Sequence, residues 1–116
     1  MILYGDVVWV SLPPSEGSAP GGRRPALVLQ QDRFNRSAIQ TVVVAAITSN
    51  LKLAEAPGNV RLRKGEAGLP RPSVINVSQL MAVDRDLIDG KLGHLSAGRL
   101  AEVWAGVRLL LQPPDP

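Results

Sequence analysis

Cysteine is absent from the 116 residues of the chain. Disulfides, a thiolate nucleophile and every zinc or iron–sulfur site built on cysteine are therefore excluded. This composition is typical of the reducing cytosol, and we expect a cytoplasmic location. The N-terminus lacks the features of a secretory signal. The longest apolar run, Val42 to Ile47, is far shorter than the ~20 residues that cross a bilayer, so we expect no membrane contact.

Histidine occurs once, at His94, which excludes a catalytic site built on two histidines. We expect His94 to be structural. The sequence also lacks the HExxH, GxSxG, Walker and GxGxxG motifs. Its acidic residues are scattered, and the one close pair, Asp84 and Asp86, is better suited to capping a turn than to holding a cation. We predict no metal site and no cofactor.

The charge balance is mildly basic. Thirteen lysines and arginines against ten acidic residues give a net charge of +3 and a pI near 10.0. Arginine is strongly preferred over lysine, and its planar fork matches phosphate oxygens. The balance is compatible with nucleic acid binding but does not establish it.

Short β-branched runs separated by proline- and glycine-rich turns predict a mainly β protein. Turn signals at intervals of about ten residues favour a small barrel over alternating strands and helices. We predict one domain over residues 1–112 and a frayed, proline-rich tail over 113–116. The predicted strands are Asp6–Leu12, Ala26–Gln30, Gln40–Ile47, Asn59–Arg63, Ser73–Val77 and Gln79–Val83.

One helix is marked near the C-terminus. Ser96 is a natural N-cap, and Leu95 with Leu100 occupy the positions of a hydrophobic staple. The apolar residues that follow at helical spacing form one stripe, which must cover a barrel end or a partner. They are Leu100, Val103, Trp104, Val107, Leu110 and Leu111.

Arginine and hydroxyl groups near strand ends are the remaining candidates for chemistry. Gly21 and Gly22 precede Arg23 and Arg24, so backbone N–H groups can approach an anion closely while a guanidinium stabilises its charge. Thr48 and its neighbour Ser49 follow the most hydrophobic strand and could face the same spot.

Several motifs in order resemble the MazF/PemK toxin family, and together they cover nearly the whole chain. The first is Gly5-Asp-Val-Val-Trp-Val, and the second runs from Gly17-Ser to Gly-Gly-x-Arg-Pro-Ala-Leu-Val-Leu29. Val44-Ala-Ala-Ile-Thr-Ser49 and Ser73-Val-Ile-Asn-Val-Ser-Gln-Leu80 follow. The last, Asp89-Gly-Lys-Leu-Gly-His-Leu-Ser96, directly precedes the predicted helix.

The resemblance implies an SH3-like barrel of the CcdB/PemK type, with five to seven strands and a C-terminal α-helix, assembled as a homodimer. It implies a toxin that is a sequence-specific, metal-independent endoribonuclease, or mRNA interferase. Its products from single-stranded RNA would carry 2′,3′-cyclic phosphate and 5′-OH ends. The implied catalytic residues are Arg24, which would stabilise the phosphorane, and Thr48, which would orient the reacting oxygens. We assign no general base.

The resemblance also implies RNA contacts along the first long loop and near Gln79, whose amide can pair with an unstacked base. Ala19-Pro20 replaces the family's common Glu-Gln, so we transfer no recognition sequence. The implied partners are an antitoxin with an acidic, disordered tail and, through that antitoxin, operator DNA. The predicted RNA-binding residues are Ser18, Gly21, Gly22, Arg23, Ser49 and Gln79.

Two other functions remain open at this stage. The same barrel superfamily contains CcdB-like toxins, which bind DNA gyrase through a C-terminal Trp-Gly-Ile and cleave nothing. This chain ends in Pro-Pro-Asp-Pro instead. In an inert RNA-binding barrel, the second alternative, Arg24 would hold phosphate without promoting a reaction.

Overall fold

The computed structural model describes residues 1–14, 17 and 22–115, and within them six strands and two α-helices. The strands are β1 (Asp6–Leu12), β2 (Gly22–Val28), β3 (Thr41–Thr48), β4 (Val60–Leu62), β5 (Ser73–Asp84) and β6 (Ile88–His94). The α-helices are α1 (Asp32–Asn35) and α2 (Ala97–Leu111), and short 3₁₀ turns occupy Leu51–Glu55, Glu66–Gly68 and Arg85–Leu87.

The strands form one antiparallel sheet in the order β4-β5-β3-β2-β1-β6, curled into a half-barrel. The predicted fold, a small barrel-type sheet of five to seven strands with a C-terminal helix, is confirmed. The turn before β5 packs against edge strand β6. A Cβ atom on Gly68 would lie 2.1 Å from the Leu92 carbonyl oxygen, so only glycine permits this approach.

Three strand predictions differ from the structure. β2 begins at Gly22, so Pro25 lies inside the strand. A proline is tolerated there because β2 pairs with β3 only from Ala26 onward, which leaves Pro25 with β1 as its one neighbouring strand. The two strands predicted on either side of Ser78 are one strand, β5. β6 was not predicted, because its glycines mask a strand that pairing with β1 creates.

Both faces of the sheet carry buried apolar residues, because alternate residues of its central strands enter different apolar clusters. Val44 of β3 packs in one cluster and Ala45 in the other. The cluster with Ala45 also receives Leu100, Val103 and Val107 of α2. The continuous apolar run of β3 therefore predicts its central position correctly.

Helix α2 begins as predicted. The Ser96 hydroxyl accepts a hydrogen bond from the Arg99 N–H at 3.3 Å, and both staple residues, Leu95 and Leu100, are buried. At the end of the predicted stripe, Leu110 and Leu111 are exposed, so the barrel does not cover them, and their contact with a partner stays a prediction. The domain boundary at 112 and the frayed tail stay predictions. No helix in the described residues has the length and apolar character to span a membrane.

Candidate functional site

A cleft with a volume of about 220 Å³ lies where the ends of several strands meet. One wall comes from β1, β2 and the end of β3, and the other from the segment that leads into β5. The volume is below the ~300 Å³ at which small-molecule pockets usually begin. Its lining residues are Trp9, Arg23, Arg24, Pro25, Ile47, Ser49, Leu69, Pro70, Arg71 and Ser73.

Three of the eight residues predicted for the site line this cleft, namely Arg23, Arg24 and Ser49. Gly22, Thr48 and Gln79 are described by the structure but are not lining residues. The remaining two, Ser18 and Gly21, lie outside the described residues. Their predicted contacts with RNA stay predictions.

Arg24 and Thr48 are related by the pairing of their strands. β2 and β3 are antiparallel, and the last pair of their register is Ala26 with Ala46. Arg24 and Thr48 each lie two residues beyond that pair, so they are at the same end of two neighbouring strands but outside the paired region. The Thr48 hydroxyl accepts a hydrogen bond from the Asn50 N–H at 3.1 Å. Their convergence on one phosphate stays a prediction.

Arg23 is held in place by two neighbours. Its guanidinium lies 4.3 Å from the centre of the Trp9 ring and forms an ion pair of 3.2 Å with Asp89. A hydrogen bond from the Ser11 hydroxyl, and then those from Arg23, hold the pKa of Asp89 below its ordinary value. Since both charges are about half exposed, the pair orients Arg23 more than it stabilises the fold.

Gln79 lies in a bulge of β5. Ala45 pairs with Leu80 and the next residue of β3, Ala46, with Asn76, so three residues of β5 are left between those pairs. Bulges re-aim side chains and interrupt pairing. Gln79 therefore sits outside the regular ladder, half-buried, and not at the strand end that the sequence predicted.

Sequence reasoning missed the second wall of the cleft. Leu69, Pro70 and Arg71 come from a loop that shows no catalytic motif, and Ser73 is the first residue of β5. These residues meet the first wall only after the sheet has formed. The one local signal was the Pro70-Arg71-Pro72 run, in which two prolines flank a cation. The two prolines indicate a restricted backbone, but they do not indicate where the Arg71 side chain points.

His94 lies away from the cleft and binds a buried carboxylate. Its Nδ1 lies 3.1 Å from Oδ1 of Asp6, and Nζ of Lys91 lies 3.1 Å from the same oxygen. Burial raises the pKa of Asp6, but hydrogen bonds from His94, the Leu3 N–H and Lys91 together lower it below its ordinary value. Within residues 1–14, 17 and 22–115, no group of three or more His, Cys, Asp or Glu could hold a metal ion.

The Asp6 cluster predicts a pH-dependent stability. The pKa of Asp6 is lower in the folded than in the unfolded chain. Asp6 therefore makes its full contribution to the free energy of unfolding above its unfolded-state pKa, and this contribution is lost as the pH falls through its folded-state pKa. We expect Asp6→Asn to reduce the free energy of unfolding by about 2 kcal/mol near pH 7. Urea unfolding of both proteins should show this difference shrinking below about pH 4. A difference that is constant down to pH 2 would contradict the assignment.

Comparison with known proteins places the chain in a family. Residues 4–111 match the model of PemK-like, MazF-like toxins of type II toxin–antitoxin systems. Endoribonuclease MazF6 of Mycobacterium tuberculosis is 40% identical over 111 residues, which cover 96% of this chain and 97% of the relative. The chain belongs to this toxin family.

Solved structures agree with this assignment. MazF from Deinococcus radiodurans matches this toxin with a TM-score of 0.80 and 30% identity over 97% of each chain. MazF in a MazE–MazF structure from the same organism matches it with a TM-score of 0.77 and 29% identity, again over 97% of each chain. The family predicted from the sequence motifs is therefore confirmed, and the matched range spans the whole sheet and α2 of the toxin.

Proposed function

We propose that this toxin is an endoribonuclease that cuts single-stranded RNA in the cleft described above. The observation that carries the proposal is the convergence of Arg23, Arg24 and Arg71 on one small cleft that also contains the Ser49 hydroxyl. Clustered cations in a concave site attract a polyanion and position its phosphates. The names of the relatives, which include Endoribonuclease MazF6, support the same activity.

The proposed reaction is transfer of the phosphoryl group to the neighbouring 2′-OH. The 2′ oxygen forms a bond to phosphorus and loses its proton, while the bond to the 5′ oxygen breaks and that oxygen is protonated. The products are a 2′,3′-cyclic phosphate and a 5′-OH end. Arg24 stabilises the added negative charge of the phosphorane, and Thr48 orients the reacting oxygens by hydrogen bonding. The nucleophile belongs to the substrate, so the reaction needs no metal-bound water.

We expect the purified toxin to cleave a long, unstructured RNA in the presence of EDTA. Product ends would be identified by two treatments. A kinase should label the new 5′-OH ends of the downstream fragments directly, and the 3′ ends of the upstream fragments should resist ligation until the cyclic phosphate is opened and removed.

Each alternative function predicts a different outcome of this assay. RNA binding without cleavage would indicate the inert barrel, whereas gyrase inhibition with intact RNA would indicate the CcdB-like toxin. Cleavage that EDTA abolishes would contradict the proposed metal-independent reaction. Mapping the cut sites of an active preparation would reveal the RNA sequence that the toxin prefers.

The proposed partners follow from the family and from the charge of the cleft. The similar MazF of D. radiodurans is found in structures with MazE. By analogy, the toxin would bind an antitoxin whose acidic, disordered tail covers the cleft arginines and folds on binding. Operator DNA would be reached only through that antitoxin. We further propose a homodimer that acts on RNA in the cytoplasm.

A further inference from the structure

We infer that Arg71 is a positioning residue that binds a phosphate of the RNA backbone other than the one being cleaved. The inference rests on the proposed function, because it assigns a role within the same cleft. Arg71 belongs to the part of the lining that the sequence motifs did not reveal, and it lines the same cleft as Arg24. A single-stranded RNA in the cleft would therefore meet Arg71 in addition to Arg23 and Arg24.

The backbone around Arg71 is fixed before any ligand binds. Pro70 has a locked φ angle, and Pro72 restricts Arg71 itself to extended conformations. The Ser73 hydroxyl donates a hydrogen bond of 2.9 Å to the Arg71 carbonyl oxygen. Leu69, just before this run, is buried with 1% of its surface exposed. The arginine is thus presented from an anchored segment of restricted backbone, which lowers the entropy cost of binding through it.

The surroundings of the Arg71 side chain also favour a ligand. Arg71 is exposed, and its guanidinium has no hydrogen bond or ion pair with any residue that the structure describes. Arg23, by contrast, is paired with Asp89. An unpaired guanidinium can form a two-pronged contact with phosphate without first breaking an ion pair.

The role of Arg71 differs from that of Arg24. A contact with a flanking phosphate is equally strong before and during the reaction, so it tightens binding without lowering the chemical barrier. We expect Arg71→Gln to raise KM for RNA about five- to tenfold, while kcat changes less than twofold. A large fall in kcat at saturating RNA would overturn the assignment to a flanking phosphate.

Binding can be measured separately from cleavage with a mixed-sequence 2′-O-methyl oligoribonucleotide, which lacks the nucleophile. Between about 50 and 200 mM salt, the logarithm of the association constant falls as log salt rises. Loss of one phosphate contact should make this negative slope shallower by about 0.7. Arg71→Gln should show this reduction and Arg71→Lys should not. The matched control is Arg108→Gln, which removes the same charge from an exposed position on α2.

The possible results are distinct. If Arg71→Gln and Arg108→Gln have equal slopes, or if Arg71→Lys loses as much as Arg71→Gln, the inference is overturned. If the slope changes as expected but the wild-type toxin cuts no RNA, the phosphate contact stands and the proposed function fails. Circular dichroism of each variant confirms that the compared proteins are folded.

Discussion

Replacement of Arg24 by alanine is expected to reduce RNA cleavage at least about 100-fold, which corresponds to about 2.7 kcal/mol of transition-state stabilisation. The loss should appear in kcat, because the phosphorane carries more negative charge than the substrate and the guanidinium acts mainly on that difference. Single-turnover cleavage at saturating toxin concentration measures this step without interference from product release.

The control for Arg24 is Arg61→Ala, which removes an exposed arginine from β4 that does not line the cleft. Its cleavage rate should stay within about twofold of the wild type. Arg24 is itself exposed, so Arg24→Ala should melt within a few degrees of the wild type. If Arg24→Ala cleaves as fast as the Arg61→Ala control, Arg24 has no catalytic role.

Replacement of Gly106 by alanine is expected to lower the free energy of unfolding by about 2 to 3 kcal/mol. Helix α2 touches the turn before β4 backbone to backbone at this position. A Cβ atom on Gly106 would lie 2.1 Å from the Gly58 carbonyl oxygen, and neither backbone segment can move as a side chain would. The helix would have to shift away from the buried cluster. Thermal unfolding should show a fall in Tm of about 10 °C.

Gly98 is the matched control, since it lies in the same helix and its added Cβ would meet nothing within 4 Å. Gly98→Ala should stabilise the protein by about 0.5 to 1 kcal/mol, because alanine loses less backbone entropy in a helix. The same substitution thus has opposite signs at two positions of α2. If Gly106→Ala also raised Tm, the close approach to Gly58 would not exist in solution.

Features encoded within a few residues could be predicted from the sequence. The Ser96 cap is one of these, and the alternation of Val60, Arg61 and Leu62 is another, since its arginine is exposed and its neighbours are buried. The family of the protein, that of the MazF/PemK-type toxins, was predictable from motifs spread over the chain, and the comparisons confirm it.

Features that depend on distant pairing could not be predicted. β6 contains Gly90 and Gly93, which disfavour strands, and it is a strand because β1 pairs with it. Asp89 fixes Arg23 from 66 residues away, and no local pattern joins the two. Arg71 enters the cleft for the same reason. The arginines of the first wall were predictable from the motifs, whereas their surroundings required the fold.

The position of β1 between β2 and β6 has a consequence for synthesis of the chain. β2 emerges soon after β1, but the strand that covers the other edge of β1 ends at His94 and is among the last parts to be made. Until then β1 offers unpaired N–H and C=O groups, which can recruit strands of other chains. Ribosome-bound fragments that end before residue 88 should therefore aggregate more readily than the finished chain. The pairing of β1 with β6 joins residues far apart in sequence, and such contacts slow the final folding step.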